Sequence, residues 1–241
     1  LKSTQKVQLV TFTPNPDTVA SIAARMCYSS GGIDSLLEHD NITAVLPKVL
    51  ASGHLSVLRH VMFTFAVEGI SRACSHQLVR HSVGVGISQQ SQRYVKSDSP
   101  TYIVPPTIEN FGSKGLSRFF DTSIRHSWEQ YKEVMAAGIP AEDARFLLPN
   151  AAETKMLISF TGEALLHLFE KRDCIRSQWE IKSIVNLMMP LVKSVAPIMF
   201  DKAGALCKTA GYCPEGGMSC GRAPTMEILV ESYQVLRPGK P

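Results

Sequence analysis

The chain is poor in charge, in aromatic residues and in long apolar runs, and each shortage narrows what it can be. Charged residues make up 19% of the 241 positions and aromatic residues 7%. A charge content on the low side for a free monomer points to surface buried between subunits. No run of about 18 apolar residues occurs, so no membrane-spanning helix is expected. Leu1 to Gln5 lack the apolar stretch of a signal peptide. The six cysteines show no C-x2-C knuckle. The expectation is therefore a cytoplasmic protein with reduced thiols and no bound metal. No Lys/Arg cluster with interleaved aromatics is present, and the net charge of +4 is mild. Such a balance fits a protein that holds several phosphates and gives no nucleic-acid footprint. Repeats and low-complexity tracts are also missing.

What is present is a 44% hydrophobic content, enough for one substantial core. A single domain over 1–241 is expected, with a Gly- and Cys-rich tail from about residue 209. Strands are predicted over 7–13, over 61–67, where Val61, Phe63, Phe65 and Val67 share one face, and over 155–160. Helices are predicted over 17–24 with Asp17 as first-turn acid or cap, over 41–52 with Gly53 as stop, and from a Ser71 cap to about His81. The clearest helix is 116–137, with Leu116, Phe119, Phe120, Ile124, Trp128, Tyr131 and Met135 as its apolar stripe. Pro140 and Thr161 open further helices, and 178–194 and 196–208 read as two more. The stretch 83–90 reads as a glycine loop. This mixture predicts an α/β (α+β) fold with antiparallel strands and long helices.

The polar groups gather in one region. His54 and Ser56 follow a helix stop. Gln77, Arg80 and His81 have the spacing of one helix face. Ser88, Gln89, Gln90, Ser91 and Arg93 follow Gly84 and Gly86. Glycines let backbone N–H groups approach an anion, guanidiniums grip phosphate with two bonds, and amides suit a base edge. In chemical terms this is a nucleotide site. On these residues alone a polar surface loop beside a buried histidine is the favoured reading, because a loose Gly-rich loop is weak evidence. Arg145, Arg172 and Arg176 form a second basic set, each also readable as an ordinary surface residue. Cys207, Cys213 and Cys220, with His167 or His76, are conceivable zinc ligands, but their spacing is wrong for the usual knuckle.

Gly53-His54-Leu55-Ser56-Val57-Leu58-Arg59-His60, Phe63-Thr64-Phe65, Ser71-Arg72-Ala73 and Gln77-Leu78-Val79-Arg80-His81 closely resemble flavin-dependent thymidylate synthases (ThyX). So do Ser88-Gln89-Gln90-Ser91-Gln92-Arg93-Tyr94, the segment from Ala144-Arg145 to Pro149, Arg172 through Gln178-Trp179-Glu180-Ile181, and the tail Cys213-Pro214-Glu215-Gly216. The match runs in order through most of the chain.

The resemblance implies a ThyX-like fold and a homotetramer with active sites shared between subunits. It implies FAD as cofactor, NADPH as reductant and 5,10-methylenetetrahydrofolate as carbon donor. The reaction implied is reductive C5 methylation of a uracil nucleotide, dUMP or UMP, without a cysteine attacking C6. His54 and Ser56 would touch the flavin. Arg80, His81, Ser88 and Gln89 would line its boundary with the nucleotide, with His167 and Arg176 nearby. Gln77, Gln90, Ser91, Gln92 and Arg93 would hold the nucleotide, and Arg145 its phosphate or base. Arg172, the catalytic candidate, would face the uracil carbonyls. Ser91 reads as a binding group, since no base adjoins it.

The chain departs from the family pattern in places. The family signature is Arg-His-Arg, seven residues, then Ser. Here Arg80-His81-Ser82 is followed by eight residues and Ser91. Arg59 stands where the family usually has Glu, and Thr161-Gly162-Glu163 where it usually has Asn-Ala-Arg. Ser82 and Glu163 thus remove two positive charges from the expected flavin region. The altered signature resembles a divergent UMP-accepting paralogue of nucleoside-antibiotic assembly. A nucleotide-binding paralogue that has lost flavin-dependent catalysis is the alternative. Retention of Arg93, Arg145 and Arg172 argues against that alternative.

Overall fold

The computed structural model describes residues 2–37, 41–96, 100–112 and 114–236; Leu1 lies outside them. Four strands, β1 (Lys6–Phe12), β2 (Met62–Ser71), β3 (Val85–Gln89) and β4 (Glu153–Thr161), form one sheet in the order β1-β2-β4-β3. Every neighbouring pair is antiparallel. The β2–β4 ladder is bracketed by Arg72 N–H on Ala152 O and Gly162 N–H on Val61 O, both at 2.9 Å. The β3–β4 ladder is bracketed by Thr161 N–H on Gly84 O at 2.8 Å and Gln90 N–H on Lys155 O at 3.0 Å. The alternation that predicts a half-buried strand is realised in β2, whose Phe63, Phe65 and Val67 are buried, and in β4, whose Met156, Ile158 and Phe160 are buried.

The helices are α1 (Pro16–Met26), α2 (Ile33–Leu37), α3 (Leu46–Ala51), α4 (Arg72–Leu78), α5 (Pro106–Glu109), α6 (Lys114–Ala136), α7 (Ala141–Ala144), α8 (Gly162–Arg172), α9 (Trp179–Val195), α10 (Leu206–Thr209) and α11 (Met226–Leu236). A 3₁₀ segment covers Leu55–His60. The predicted caps form: Ser71 Oγ accepts from Cys74 N–H, and Thr161 Oγ1 from Ala164 N–H. The fold class is the α/β (α+β) arrangement that the sequence predicts.

Four local expectations are corrected. The helix after Ser71 stops at Leu78, so Gln77, Arg80 and His81 do not share a helix face. The 83–90 stretch is a short turn followed by β3, because Val85, Ile87 and Gln89 alternate with more exposed Gly86 and Ser88. The 196–208 stretch is not one helix. Turns follow Pro197, and Gly204 (φ +157) precedes the short α10. In α6, Leu116 and Phe119 are exposed, and the buried stripe is Ile124, Trp128 and Tyr131. The tail also contains an unforeseen helix, α11.

The described chain divides into two compact units. Leu1–Gln8, Phe65–Ser82 and Gly86–Ser159 make the first; Leu9–Thr64, Val83–Val85 and Phe160–Pro241 make the second. The first unit packs Tyr102, Ile124, Trp128 and Ala152 together, with Tyr102 Oη donating to Asp121 at 2.9 Å. In the second, Phe200 meets Phe63 and Phe169 edge-on, at centroid distances of 5.3 and 5.9 Å. Asp17, buried in the first turn of α1, accepts from Ile198 N–H at 2.9 Å and Met199 N–H at 3.0 Å. It therefore ties the turn after α9 to α1; of the two roles expected for it, Asp17 takes that of first-turn acid, and Asn15 is the cap residue. No helix among the described residues is long and apolar enough to cross a membrane.

Candidate functional site

In the first unit the segment after β3 is where basic groups converge. Ser91 Oγ accepts from Arg93 N–H at 3.1 Å and tightens the turn. Arg93 pairs with Glu142 on α7 at 2.8 Å. Arg145, just after α7, donates through Nε to Glu142 O at 3.0 Å. Arg72, the first residue of α4, reaches toward Gln90 O at 3.5 Å. Burial and the nearby Arg145 both push the Arg72 guanidinium below its ordinary pKa. Among the described residues neither Arg72 nor Arg145 has a carboxylate within ion-pair distance. Three guanidiniums thus stand around 90–93, and the Glu142 carboxylate pairs with Arg93 alone. Partly desolvated like charges are costly until an anion joins them.

The same unit holds the other predicted nucleotide groups. Gln77 is partly buried near the end of α4, Arg80 is exposed in the turn after it, and His81 is partly buried. Gln89 donates through Nε2 to Ser75 Oγ at 2.9 Å and Thr154 Oγ1 at 3.1 Å. Its amide nitrogen is therefore spent within the fold, leaving its carbonyl oxygen for a ligand. Ser88, Gln89 and Gln90 line an open cleft of about 620 Å³ with Lys6, Glu68 and Lys155.

The second unit holds His54, Ser56, His167, Arg172 and Arg176. His54 precedes the 3₁₀ segment and Ser56 lies in it, both exposed. His167 is exposed on α8, and Arg172 is partly buried at the C-terminal end of that helix. The helix entry is tightly packed. A Cβ on Gly162 would stand 3.1 Å from Leu58 O and 2.9 Å from Met199 Sδ. Gly84 (φ +69) lies against Thr161, and a Cβ there would meet Thr161 Oγ1 at 2.6 Å. Only glycine combines that backbone angle with that approach.

Beyond Arg172, Asp173 anchors the chain. Its side chain is 4% exposed and accepts from Lys182 at 2.8 Å, Lys208 at 2.7 Å and Ala205 N–H at 3.1 Å. Burial alone would raise its pKa, but these hydrogen bonds outweigh it and hold the carboxyl below the usual range. Arg176 is turned to the tail, donating to Met218 O at 2.6 Å with Glu215 at 3.6 Å.

Residues 8–198 match the family model described as "Thymidylate synthase complementing protein". A "Flavin-dependent thymidylate synthase" of Geobacter sulfurreducens is 44% identical over 235 residues, covering 95% of this chain and 100% of that protein. The chain belongs to the flavin-dependent thymidylate synthase family. It is an enzyme of that type. A second relative of the same name, from Clostridium tetani, is 39% identical over 243 residues, covering 93% of this chain and 96% of its own length. Among solved structures, "a UMP/dUMP methylase PolB from Streptomyces cacaoi bound with 5-Br dUMP" superimposes with a TM-score of 0.72 at 20% identity. It covers 83% of this chain and 94% of that one. That likeness shows that the two share the fold.

Sequence reasoning missed Arg72 and Glu142 as members of this site. Arg72 lay inside a quoted family segment, yet nothing in spacing alone tied it to Arg145. The closeness of two arginines about 70 residues apart comes from the β2–β4 ladder, which holds Arg72 N–H on Ala152 O.

Proposed function

We propose that the chain catalyses reductive C5 methylation of a uracil nucleotide, dUMP, UMP or both, with 5,10-methylenetetrahydrofolate as carbon donor and NADPH as reductant. The observation that supports this most is the group Arg72, Arg93 and Arg145 around Ser91. A nucleoside monophosphate carries close to two negative charges at neutral pH. It supplies the anion this group lacks, and guanidiniums bind it with paired hydrogen bonds. Gln77, Gln90 and Gln92 offer amides for the base and sugar.

FAD, when bound, supplies the reducing equivalents. The residues assigned to hold it are His54, Ser56 and His167, with Arg80, His81, Ser88 and Gln89 at its boundary with the nucleotide. Imidazole, hydroxyl and amide groups suit the edge of a polar ring system, and a guanidinium suits a pyrophosphate, so the donor set fits the cofactor. Arg176 can join them only by giving up Met218 O. Arg172 is the catalytic residue: a cation at the uracil carbonyls stabilises negative charge building on the ring. The protein's part is positioning and electrostatics. A homotetramer, a single functional domain over 1–241 and a cytoplasmic location complete the reading.

The test is an anaerobic assay with dUMP and UMP in parallel, with FAD, NADPH and methylenetetrahydrofolate, alongside the visible spectrum of the purified protein. Flavin absorbance and a C5-methylated product support the reading. Nucleotide binding without flavin or turnover sinks it in favour of a paralogue that has lost catalysis.

A further inference from the structure

Four of the six cysteines, Cys174, Cys207, Cys213 and Cys220, line one cavity of about 150 Å³ in the second unit. They come from three places in the chain: the turn after α8, α10 and the tail. Neither the nucleotide chemistry nor the flavin set uses them. Among the described residues, no three His, Cys, Asp or Glu side chains stand together as a metal site, so the thiols themselves are the available chemistry.

Two of the four, Cys174 and Cys220, flank a contact that joins the tail to the turn after α8. Arg176 binds Met218 through Nη1 to the carbonyl oxygen at 2.6 Å and through Nη2 toward Sδ at 3.4 Å. Cys174 lies two residues before Arg176 and Cys220 two residues after Met218, so this clamp carries both into one cavity wall. Cys220 is exposed and Cys174 partly so, whereas Cys213 is buried and its backbone N–H is fixed to Pro224 O at 2.8 Å. An incoming reagent meets Cys220 first. Lys171 and Arg222 line the same cavity and favour an anionic reagent.

We propose that Cys174 and Cys220 form a thiol–disulfide exchange site that ties the tail to the loop after Arg172. The Cys220 thiolate attacks a low-molecular-weight disulfide, breaking its S–S bond and releasing one thiol. The Cys174 thiolate then attacks the Cys220 sulfur of the mixed disulfide and releases the second thiol. Two protein thiols lose two electrons and two protons, and the reagent disulfide becomes two thiols. The product holds the tail over Arg176.

The experiment incubates the reduced full chain with oxidised glutathione, alkylates the remaining thiols and maps peptides by mass spectrometry without reduction. A Cys174–Cys220 cross-link in most chains is expected, reversed by dithiothreitol. It is absent in Cys220→Ser, a change at an exposed position, and unaffected in Cys27→Ser, whose cysteine is also exposed. Limited trypsin cleavage after Arg222 gives an independent readout: oxidation slows it, and Cys220→Ser removes that protection. The proposal is overturned if Cys220 ends only as a glutathione adduct, or if the cross-link joins another pair. Stoichiometric zinc or iron that shields these thiols from alkylation overturns it as well.

Discussion

Arg59 grips Glu163 with both prongs of its guanidinium, Nε on Oε2 and Nη2 on Oε1 at 3.1 Å. The pair joins the 3₁₀ segment that carries Ser56 to the first turn of α8. The hydrogen bond from Arg59 holds the Glu163 carboxyl below its usual range. The two positions are also two of the departures from the family pattern, Arg for Glu and Glu for Arg. The resemblance implies the opposite charges at these two positions; in this chain Arg59 and Glu163 pair with each other.

That pairing predicts strong coupling between the two sites. Arg59→Glu or Glu163→Arg alone sets like charges face to face, loosens the helix entry and weakens FAD binding to the apo protein several-fold. The double exchange brings the FAD Kd and the Tm back toward those of the parent. Titration of FAD into all four proteins measures the coupling. Simple additivity would show that the pair positions nothing.

Asp173 carries a stability prediction. Asp173→Asn leaves Lys182 and Lys208 without their shared carboxylate and weakens the bond to Ala205 N–H. A loss of about 2–4 kcal/mol is expected in denaturant unfolding, because one partner of a buried pair is removed. The pH dependence has a definite sign. The folded pKa lies below the unfolded value of about 4, so the stabilisation is complete above that value. It disappears as pH falls through the folded pKa. The gap between parent and variant should therefore begin to close as pH falls below about 4 and vanish below the folded pKa. A constant gap down to pH 2 would locate the stabilisation elsewhere.

The fold was legible wherever pattern and capping agreed. The β2 alternation, the Thr161 cap and the long α6 all follow from local rules. The failures came where local rules conflict with packing. Gly84 and Gly86 suggested a loop, yet pairing with β4 holds 85–89 extended. A helix was expected over 196–208, but the chain turns over 197–200 and Gly204 (φ +157) leaves helical geometry before α10. Individual arginines of the site were visible through family resemblance. Their grouping was not, because Arg72 and Arg145 meet only through a ladder between distant strands. Nor could spacing show that Arg176 is engaged by Met218 of the tail.

Arg72 and Arg172 should fail differently. Arg72→Gln removes a phosphate partner, so KM for dUMP or UMP rises about tenfold or more, from one lost charge-assisted bond of roughly 1.5–3 kcal/mol. The maximal rate changes far less. Arg172→Ala removes a cation needed most as charge develops, and kcat falls by about a hundredfold or more. Steady-state kinetics with saturating folate separate the two. A near-normal kcat for Arg172→Ala would remove that residue from the reacting ring.

The extra residue before Ser91 carries a prediction about sugar choice, and the structure shows where it can be removed. Deleting a residue inside β3 would slip its register and swap the faces on which Ser88 and Gln89 stand. The turn at Val83 and Gly84 is the place that can shorten. Gly84 at φ +69 lies against Thr161, so removing it also pulls the chain away from α8. A buried 2′-hydroxyl without a partner costs about 1–3 kcal/mol, and a roomier turn with Ser88 nearby can erase that cost. Deletion of Gly84 together with Ser82→Arg should therefore raise the dUMP-over-UMP ratio of kcat/KM about tenfold or more, since 1.4 kcal/mol is a factor of ten. Ratios are compared in proteins whose Tm and FAD Kd are measured first. An unchanged ratio in a folded, flavin-binding variant would mean that the turn does not set sugar choice.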